Sequence, residues 1–306
     1  MLRLFEQLQR GARGNRSDDI KKDSANFQLK KAVTPNGCEE HMLRSYAERG
    51  IIFFTTRHQS VDQDALSQLT PHGVLRVGIN LGNFLLVSGR DPFGSPQGVA
   101  PDLAREIAVC LDAPLEYVLF SSPRELADAA ESSVWDICLI GAEPTRAQSI
   151  LFTSAYVEID ATYLVPSGSR LRSIEEVDQS GVRIAVAAGS AYDLWLTRHI
   201  QHAELIRTDT LDASYACFVE QKLEVLAGLK PRLLSDAKEL PGARVLDGRF
   251  TAIQQAIGTP RCNEAGAAFL CAFVEEAKAS GLIARLIKRH DVRGLSIAPS
   301  STTHKP

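Results

Sequence analysis

Short apolar runs alternate with helical patterns along the chain from residue 74 onward. VLRVGI (74–79), LEYVLF (115–120) and VWDICLI (134–140) have the composition of strands. Between the first two, PDLAREIAVCLD repeats apolar residues at helical spacing after a proline that suits a first helical turn, and another helix is predicted from near Pro123. Strands that alternate with helices indicate βαβ units around a largely parallel sheet. We therefore predict an α/β lobe over this part of the chain.

A second alternating series follows a long extended segment, FTSAYVEIDATYLVPSGS, which begins at Phe152. Helices are predicted from Ser190 to about His202 and around 211–221, and QQAIGTP (254–260) is predicted to return to the first lobe. The predicted strands of this series are VRIAVA (182–187), ELIR (204–207), LEVLAGL (223–229) and ARVLD (243–247), and terminal helices broken at Gly281 follow over 262–290. The pattern predicts a bilobed α/β clamshell with two hinge crossings. Ligands of such folds lie where strand C-termini and helix N-termini face the cleft.

These patterns divide the chain into four parts. Lobe 1 is predicted over 74–160 together with 250–290, and lobe 2 over 161–249. Residues 1–73 are predicted to be a polar, poorly ordered extension, because clusters such as RSDDIKKD favour solvated chain. Residues 291–306 are predicted to be a flexible tail.

Composition and charge limit the classes of partner. The 306 residues are 44% hydrophobic and 23% charged, which allows a sizeable core in a soluble globular protein. A net charge of -3 argues against nucleic-acid binding, which normally needs a basic face to neutralise phosphates. No apolar run approaches the roughly 18 residues of a membrane helix. We expect neither a nucleic-acid partner nor membrane insertion.

The N-terminus and the cysteines bear on location. MLRLFEQLQRGARGNR is positively charged but has no apolar region followed by a small-residue cleavage site, so no secretory signal is visible. Six cysteines lack a CxxC pair and are predicted to be reduced, mostly buried side chains, which favours a cytoplasmic location: Cys38, Cys110, Cys138, Cys217, Cys262 and Cys271.

Motifs for several catalytic chemistries are missing from the sequence. There is no GxGxxG after a strand, no GxxxxGK[ST], no HExxH and no GxSxG, so nucleotide, zinc-protease and serine-hydrolase chemistry lose their usual support. His199 and His202 are predicted to share a helical face, but no Cys, Asp or Glu stands at ligand spacing, and we predict no metal site. Ser235-x-x-Lys238 is a spacing common by chance on helices. We expect no cofactor.

Four segments, in order, resemble one protein family. They are LRVGINLGNF, GVAPDLAREIAVCLDAPLEYV, WDICLIGAEPTRAQSILFTSAYV and GVRIAVAAGSAYDLWL, and together they make about 74–290 similar to family 3 extracellular solute-binding proteins, the amino-acid type of the type II periplasmic-binding-protein fold. The resemblance implies a non-catalytic, monomeric, periplasmic receptor that closes on a small polar solute, commonly an amino acid. Such receptors usually deliver the solute to an ABC importer.

The resemblance also implies a ligand site. Arg146 follows a step like the family's Thr-Pro-x-Arg and would pair with the ligand's carboxylate, which a planar guanidinium can hold through two parallel bonds. The turn from Gly189 to Tyr192 matches the family's turn at a helix N-terminus, where free amides attract anions. Arg146 and Ser190 would then bracket one carboxylate from opposite lobes. The predicted ligand-binding residues are Arg146, Gly189, Ser190, Ala191, Tyr192, Asn83, Phe84 and Glu143.

Each of these residues also has a purely structural interpretation. Arg146 could be a solvated surface arginine, and Ser190 is a favoured N-cap whether or not a ligand binds. Asn83 and Phe84 follow the first strand, where relatives place an aromatic against the ligand, but they could equally be a turn residue and a core aromatic.

Two departures from the family pattern bear on the ligand. Glu143 stands where relatives have a threonine, and its charge would compete with a ligand carboxylate for Arg146. Leu229, beside Lys230, stands where relatives commonly have the aspartate that reads the ligand's ammonium. The hypothesis is a small organic acid or modified amino acid rather than a standard amino acid.

Two other functions stay open. Cyclohexadienyl dehydratase resembles these receptors, and such chemistry would need a carboxyl group of raised pKa in the cleft, for which Glu143 and Asp193 are the candidates. Glu143 would stay ionised beside Arg146, and Asp193 is stabilised as an anion in a first helical turn, so both are poor acids. The other alternative is a cytoplasmic ligand sensor, since no signal peptide is visible.

Overall fold

The computed structural model of the protein describes residues 61–301. Most of the predicted N-terminal extension, residues 1–60, lies outside the described residues. The remainder of that extension contains helix α1, Gln63–Leu69, which begins after the N-cap Asp62. Leu69 is fully buried and packs against Gly266, so this helix contributes to the core.

Three parallel strands form the sheet of lobe 1. They are β1 (Leu75–Asn80), β4 (Leu115–Phe120) and β5 (Ile137–Gly141), and β1 lies between the other two. Helix α2 (Val99–Cys110) and helix α3 (Pro123–Asp128) connect them, as the sequence predicts. A hairpin of β2 (Gly89–Arg90) and β3 (Pro96–Gln97) lies between β1 and α2.

Three further parallel strands form the sheet of lobe 2. Strand β8 (Arg183–Ala187) pairs with both β9 (Glu204–Thr208) and β10 (Val225–Leu229). The helices of this lobe are α4 (Ala191–His199), α5 (Leu211–Glu220) and α6 (Lys230–Glu239). The sequence pattern does not predict helix α6, which has Pro231 in its first turn and no side-chain cap to mark its start.

Two long strands join the lobes. Strand β7 (Val157–Val165) follows the short β6 (Ile150–Phe152), and β12 (Thr251–Pro260) follows the short β11 (Arg244–Val245). Strands β7 and β12 pair with each other in antiparallel orientation. Strand β12 also pairs with β5 of lobe 1, and β7 also pairs with β10 of lobe 2, both antiparallel. The result is one continuous sheet in the order β4-β1-β5-β12-β7-β10-β8-β9, a mixed α/β fold with two crossings, as predicted.

Two helices and a short strand form the C-terminal part of the described chain. Helices α7 (Glu264–Ala279) and α8 (Leu282–Arg289) are separated at Gly281, whose φ of 72° favours glycine, and this break confirms the sequence prediction. Within the predicted tail, strand β13 (Ser296–Ile297) pairs with β7, so this part of the segment has regular structure.

Helix α4 is shorter than the sequence predicted. It ends at His199, and Ile200 has an extended ψ of 130°. Asp178 accepts the backbone amides of Gln201 and His202, which holds these residues outside the helix. His199 and His202 therefore do not share a helical face.

The cysteines are only partly buried. Cys138 and Cys217 are buried, whereas Cys262 and Cys271 are exposed, which corrects the expectation of mostly buried thiols. Cys38 lies outside the described residues. Over residues 61–301, no helix combines the length and the apolar character needed to cross a bilayer.

Candidate functional site

Arg146 lies between the two lobes. Its short 3-10 turn, Arg146–Gln148, follows the end of β5, and the residue is only 6% exposed. Nη1 donates to the carbonyl of Gly141 at 2.6 Å, and Nη2 donates across the cleft to the carbonyl of Gly189 at 2.8 Å. Within the described part of the chain, Nε has no hydrogen-bond partner. Arg146 is therefore not a solvated surface arginine.

Burial determines the electrostatics of this guanidinium. Removal from water lowers the pKa of Arg146 to about 10, and the nearby Glu143 carboxylate opposes that shift. The group stays charged at neutral pH, yet its two close acceptors are uncharged carbonyls. A carboxylate would be a stronger partner, since charge-assisted hydrogen bonds are roughly twice as strong as neutral ones.

The turn before α4 brings backbone amides close to Arg146. Gly189 has a φ of 69°, and Ser190 is the N-cap, whose Oγ accepts the Asp193 amide at 3.1 Å. Asp193 in turn accepts the Gly189 amide at 2.8 Å. The amides of Ala191 and Tyr192 are the first two of the helix and have no helical carbonyl in front of them. They are the donors this turn can offer to an anion.

Asp193 is held as an ion pair. Its side chain is buried, and Arg207 Nε donates to Oδ1 at 2.9 Å. Its other oxygen, Oδ2, accepts the Gly189 amide, so this carboxylate links the first turn of α4 to the turn that precedes the helix.

Glu143 pairs across the cleft rather than with Arg146. This residue lies just beyond β5 in lobe 1, is 7% exposed and contacts Arg198 in the last turn of α4. Arg198 Nη2 donates to Oε1 at 3.0 Å, and Nη1 lies 2.7 Å from Oε2 without hydrogen-bond alignment. Arg198 was not among the sequence-predicted site residues.

Asn83, Phe84 and Leu85 lie on the loop after β1 and differ in their exposure to solvent. Asn83 is buried, and its Oδ1 accepts the Leu85 amide at 3.2 Å, as expected of a turn residue. Phe84 is 40% exposed and is not a core aromatic. Leu85 is buried in the apolar cluster that contains Ala191 and Leu229 of lobe 2, a placement that the sequence does not predict.

A small depression lies beside this site in lobe 2. Tyr192 contributes to it, and its buried Oη has no hydrogen-bond partner among the described residues. Asp236 pairs there with Arg232 at 2.8 Å, and burial raises the pKa of Asp236. The lining includes Tyr192, Ser214, Leu229, Arg232, Leu233 and Asp236.

The two histidines do not form a site together. His199 stacks on Trp195 with ring centroids 3.7 Å apart, and its Nδ1 lies 2.7 Å from the Trp195 carbonyl. Across residues 61–301, no cluster of three or more His, Cys, Asp or Glu side chains is arranged to hold a metal ion.

The arrangement brings one buried cation, Arg146, into contact with the turn that carries the first two amides of α4. A carboxylate or another small anion is the ligand that this combination would bind most strongly. Of the predicted site residues, the structure brings Arg146, Gly189, Ser190, Ala191 and Glu143 into this region, and it leaves Phe84 partly exposed.

A family profile matches most of the chain. The profile is that of bacterial extracellular solute-binding proteins, family 3, and it matches residues 75–291. No curated protein sequence matches the chain.

Solved structures with the same fold include amino-acid receptors. A solute receptor for L-cysteine of Neisseria gonorrhoeae is 19% identical with a TM-score of 0.63, covering 76% of this chain and 99% of its own. An amino acid ABC transporter substrate-binding protein from Streptococcus pneumoniae, bound to L-arginine, is 17% identical with a TM-score of 0.61, covering 77% and 100%. An ancestral amino acid-binding protein, a precursor of cyclohexadienyl dehydratase, is 19% identical with a TM-score of 0.60, covering 73% and 98%.

Proposed function

The chain belongs to the bacterial extracellular solute-binding proteins of family 3, and from this premise we propose that it binds a small carboxylated solute between its lobes. The solute would be an amino acid or a related organic acid. Binding would favour the closed arrangement because the ligand contacts both lobes only in that state.

One observation carries the proposal. Arg146 is a buried cation whose two close hydrogen-bond acceptors are the neutral carbonyls of Gly141 and Gly189. Burying a charge without an opposite charge in contact is costly, so a site of this kind gains most from an incoming anion. The amides of Ala191 and Tyr192 lie at the helix terminus next to Gly189 and add donors for a second oxygen.

The chemistry of the cleft favours an acid without a free ammonium group. Leu229 ends β10 as a buried apolar side chain, where the family resemblance implies an aspartate. Asp236 is the buried carboxylate nearby, and it is already paired with Arg232. Glu143 is likewise paired, with Arg198. A ligand ammonium would have to displace one of these arginines from its partner.

The carboxyl groups considered for catalysis support a non-catalytic receptor. A general acid in a dehydratase must have a carboxyl group that is free to reach the substrate. Glu143 is instead paired with Arg198, and Asp193 accepts from Arg207 and from the Gly189 amide. Catalytic turnover in a direct dehydratase assay is the outcome that would support the alternative, an enzyme.

We further propose that the protein acts as a monomer in the periplasm and delivers its solute to an ABC permease. The family resemblance supports this assignment, and the ABC transporter protein from Streptococcus pneumoniae has the same fold. Cell fractionation tests it directly, because protein found only in the cytoplasm would exclude the importer role and favour a sensor.

The test of ligand binding is a thermal-shift screen of the full chain with amino acids, dicarboxylates and aromatic carboxylates, followed by calorimetry on each hit. A ligand at 100 times its Kd should add about 2.7 kcal/mol to the stability of the folded state. Arg146→Gln should weaken binding of a carboxylate at least tenfold, since it removes a charge-assisted contact.

The matched control is Arg183→Gln, which removes an arginine of lobe 2 whose partner is the half-exposed Glu224. Its ligand affinity should equal that of the wild type. Each variant is compared with its own ligand-free melting temperature, so a loss of stability is separated from a loss of binding. Unchanged affinity in Arg146→Gln, or hits confined to uncharged and cationic solutes, would overturn the proposed binding mode.

A further inference from the structure

Two arginines of lobe 1 contact the same glycine of lobe 2. Arg146 donates from Nη2 to the carbonyl of Gly189 at 2.8 Å. The aliphatic part of Arg124 packs over the Cα of the same residue, since a Cβ built on Gly189 would lie 2.9 Å from Cβ and 3.0 Å from Cδ of Arg124. Two guanidinium groups of one lobe therefore belong to side chains that meet at the turn before α4.

The end of β4 positions Arg124 at this turn. Strand β4 ends at Phe120, Ser122 is the N-cap of α3, and Arg124 is the second residue of that helix. The carboxyl ends of parallel strands border the ligand cleft in folds of this type, so a side chain in the first turn after β4 can extend along the cleft. The sequence motifs did not identify Arg124 as a site residue.

The buried carboxylates near this turn already have arginine partners. Glu143 pairs with Arg198, and Asp193 pairs with Arg207. Each pair balances one positive and one negative charge. Arg146 is outside both pairs, because its two aligned bonds go to neutral carbonyls.

Arg124 has only a weak partner of its own. Its Nε lies 3.8 Å from Oδ2 of Asp128, one turn further along α3, which is beyond hydrogen-bond distance. The two side chains are 66% and 74% exposed. Exposed pairs with this geometry contribute little to stability and exchange readily with other ions. Arg124 can therefore leave Asp128 for a carboxylate that a ligand supplies.

We propose that Arg124 binds a second carboxylate of the solute, so that the protein selects dicarboxylates over monocarboxylates. The inference rests on the proposed function, since it takes Arg146 as the site of the first carboxylate. The rest of the solute would extend past Gly189 toward the exposed guanidinium of Arg124. A dicarboxylate without an ammonium group satisfies both cations and places no charge against the apolar Leu229.

The test compares each dicarboxylate with its own half amide, in which one carboxylate is replaced by a neutral group of nearly the same size. Calorimetry on the full chain measures Kd for malonate, succinate, glutarate and adipate and for the four half amides. The wild type should bind at least one dicarboxylate about tenfold more tightly than its half amide. About fivefold of this is the gain from a partly exposed ion pair, and about twofold arises because either end of a dicarboxylate can occupy the first site.

Arg124→Gln should reduce that preference to about twofold, because only the statistical advantage of two identical ends is left. Asp128→Asn tests the same contact with Arg124 retained, and it should increase the preference, since it removes the competing carboxylate. The matched control is Arg285→Gln, which removes the same charge from lobe 1 in helix α8, where Nη1 donates to the carbonyl of Ser280. Its preference should equal that of the wild type.

The outcomes separate this inference from the proposed function. A preference that stays near tenfold in Arg124→Gln, or that falls equally in Arg285→Gln, overturns the role of Arg124. If dicarboxylates and half amides bind the wild type alike and both depend on Arg146, carboxylate binding stands and the inference fails. If the wild type binds neither class, the inference is overturned, and the screen of amino acids and aromatic carboxylates decides the proposed function.

Discussion

Arg146 donates from Nη2 to the carbonyl of Gly189 at 2.8 Å, and this bond connects the loop after β5 to the turn before α4. The two residues are 43 positions apart and belong to opposite lobes. The arginine proposed to hold the solute thus also holds the turn that would supply amides to the same solute. Ligand binding would use its remaining donors, including Nε, or replace the bond to Gly189.

The conformation of Gly189 gives a first prediction. Gly189→Ala should destabilise the protein by about 2 kcal/mol, because alanine is strained at a φ of 69° and its Cβ would lie 2.9 Å from the Cβ of Arg124. Gly168→Ala is the control, since φ is 74° there and nothing lies within 4 Å of the added Cβ. That variant should lose only about 1 kcal/mol. Urea unfolding measures both, and equal losses would show that the Arg124 contact has no energetic effect.

Ser190 combines a structural role with a proposed binding role. Ser190→Ala removes the cap of α4 and should cost about 1 kcal/mol of stability and also weaken carboxylate binding. Thr210 is the cap of α5 and accepts the Ala213 amide at 3.0 Å, so Thr210→Ala should cost a similar amount without affecting binding. Urea unfolding and calorimetry with the same solute compare the two. If Ser190→Ala and Thr210→Ala bind the solute with equal affinity, Ser190 acts only as the N-cap of α4.

Glu275 gives a pH dependence with a defined sign. Burial raises its pKa, but hydrogen bonds from Lys278, Ser154 and Ser301 outweigh this and bring the pKa to about 2. Because the folded pKa is below the unfolded value of about 4.3, the carboxylate stabilises the fold above that pH and loses its effect as the pH falls toward 2.

Glu275→Gln should therefore lower stability near neutral pH by less than about 1 kcal/mol, and the difference from wild type should shrink below pH about 4. Urea midpoints across a pH series provide the measurement. Glu276→Gln removes a neighbouring exposed carboxylate outside this cluster and is the control. A difference for Glu275→Gln that stays constant down to pH about 2 would contradict the assignment.

The alternation of apolar runs and helical patterns was sufficient for most elements of the fold. LEYVLF predicts β4 over the residues it occupies, and Gly281 separates α7 from α8 as expected. These features depend on interactions within a few residues, namely strand burial and a glycine at positive φ. The sequence does not predict helix α6, because its start carries no capping side chain. The sequence predicts α4 to be too long, because the residue that holds the Gln201 and His202 amides outside the helix, Asp178, belongs to a distant segment.

The sequence by itself determined the family, most of the strands and helices in their order, and the presence of an arginine and a serine-capped turn at the expected places. Only the tertiary structure decided what those side chains contact. Arg146 bonds two carbonyls, Glu143 pairs with Arg198 and Leu85 joins an apolar cluster that also contains Ala191 and Leu229 of lobe 2. The physical reason is that local conformation follows from neighbours in the chain, whereas pairing of buried charges depends on which distant groups the fold brings within a few ångströms.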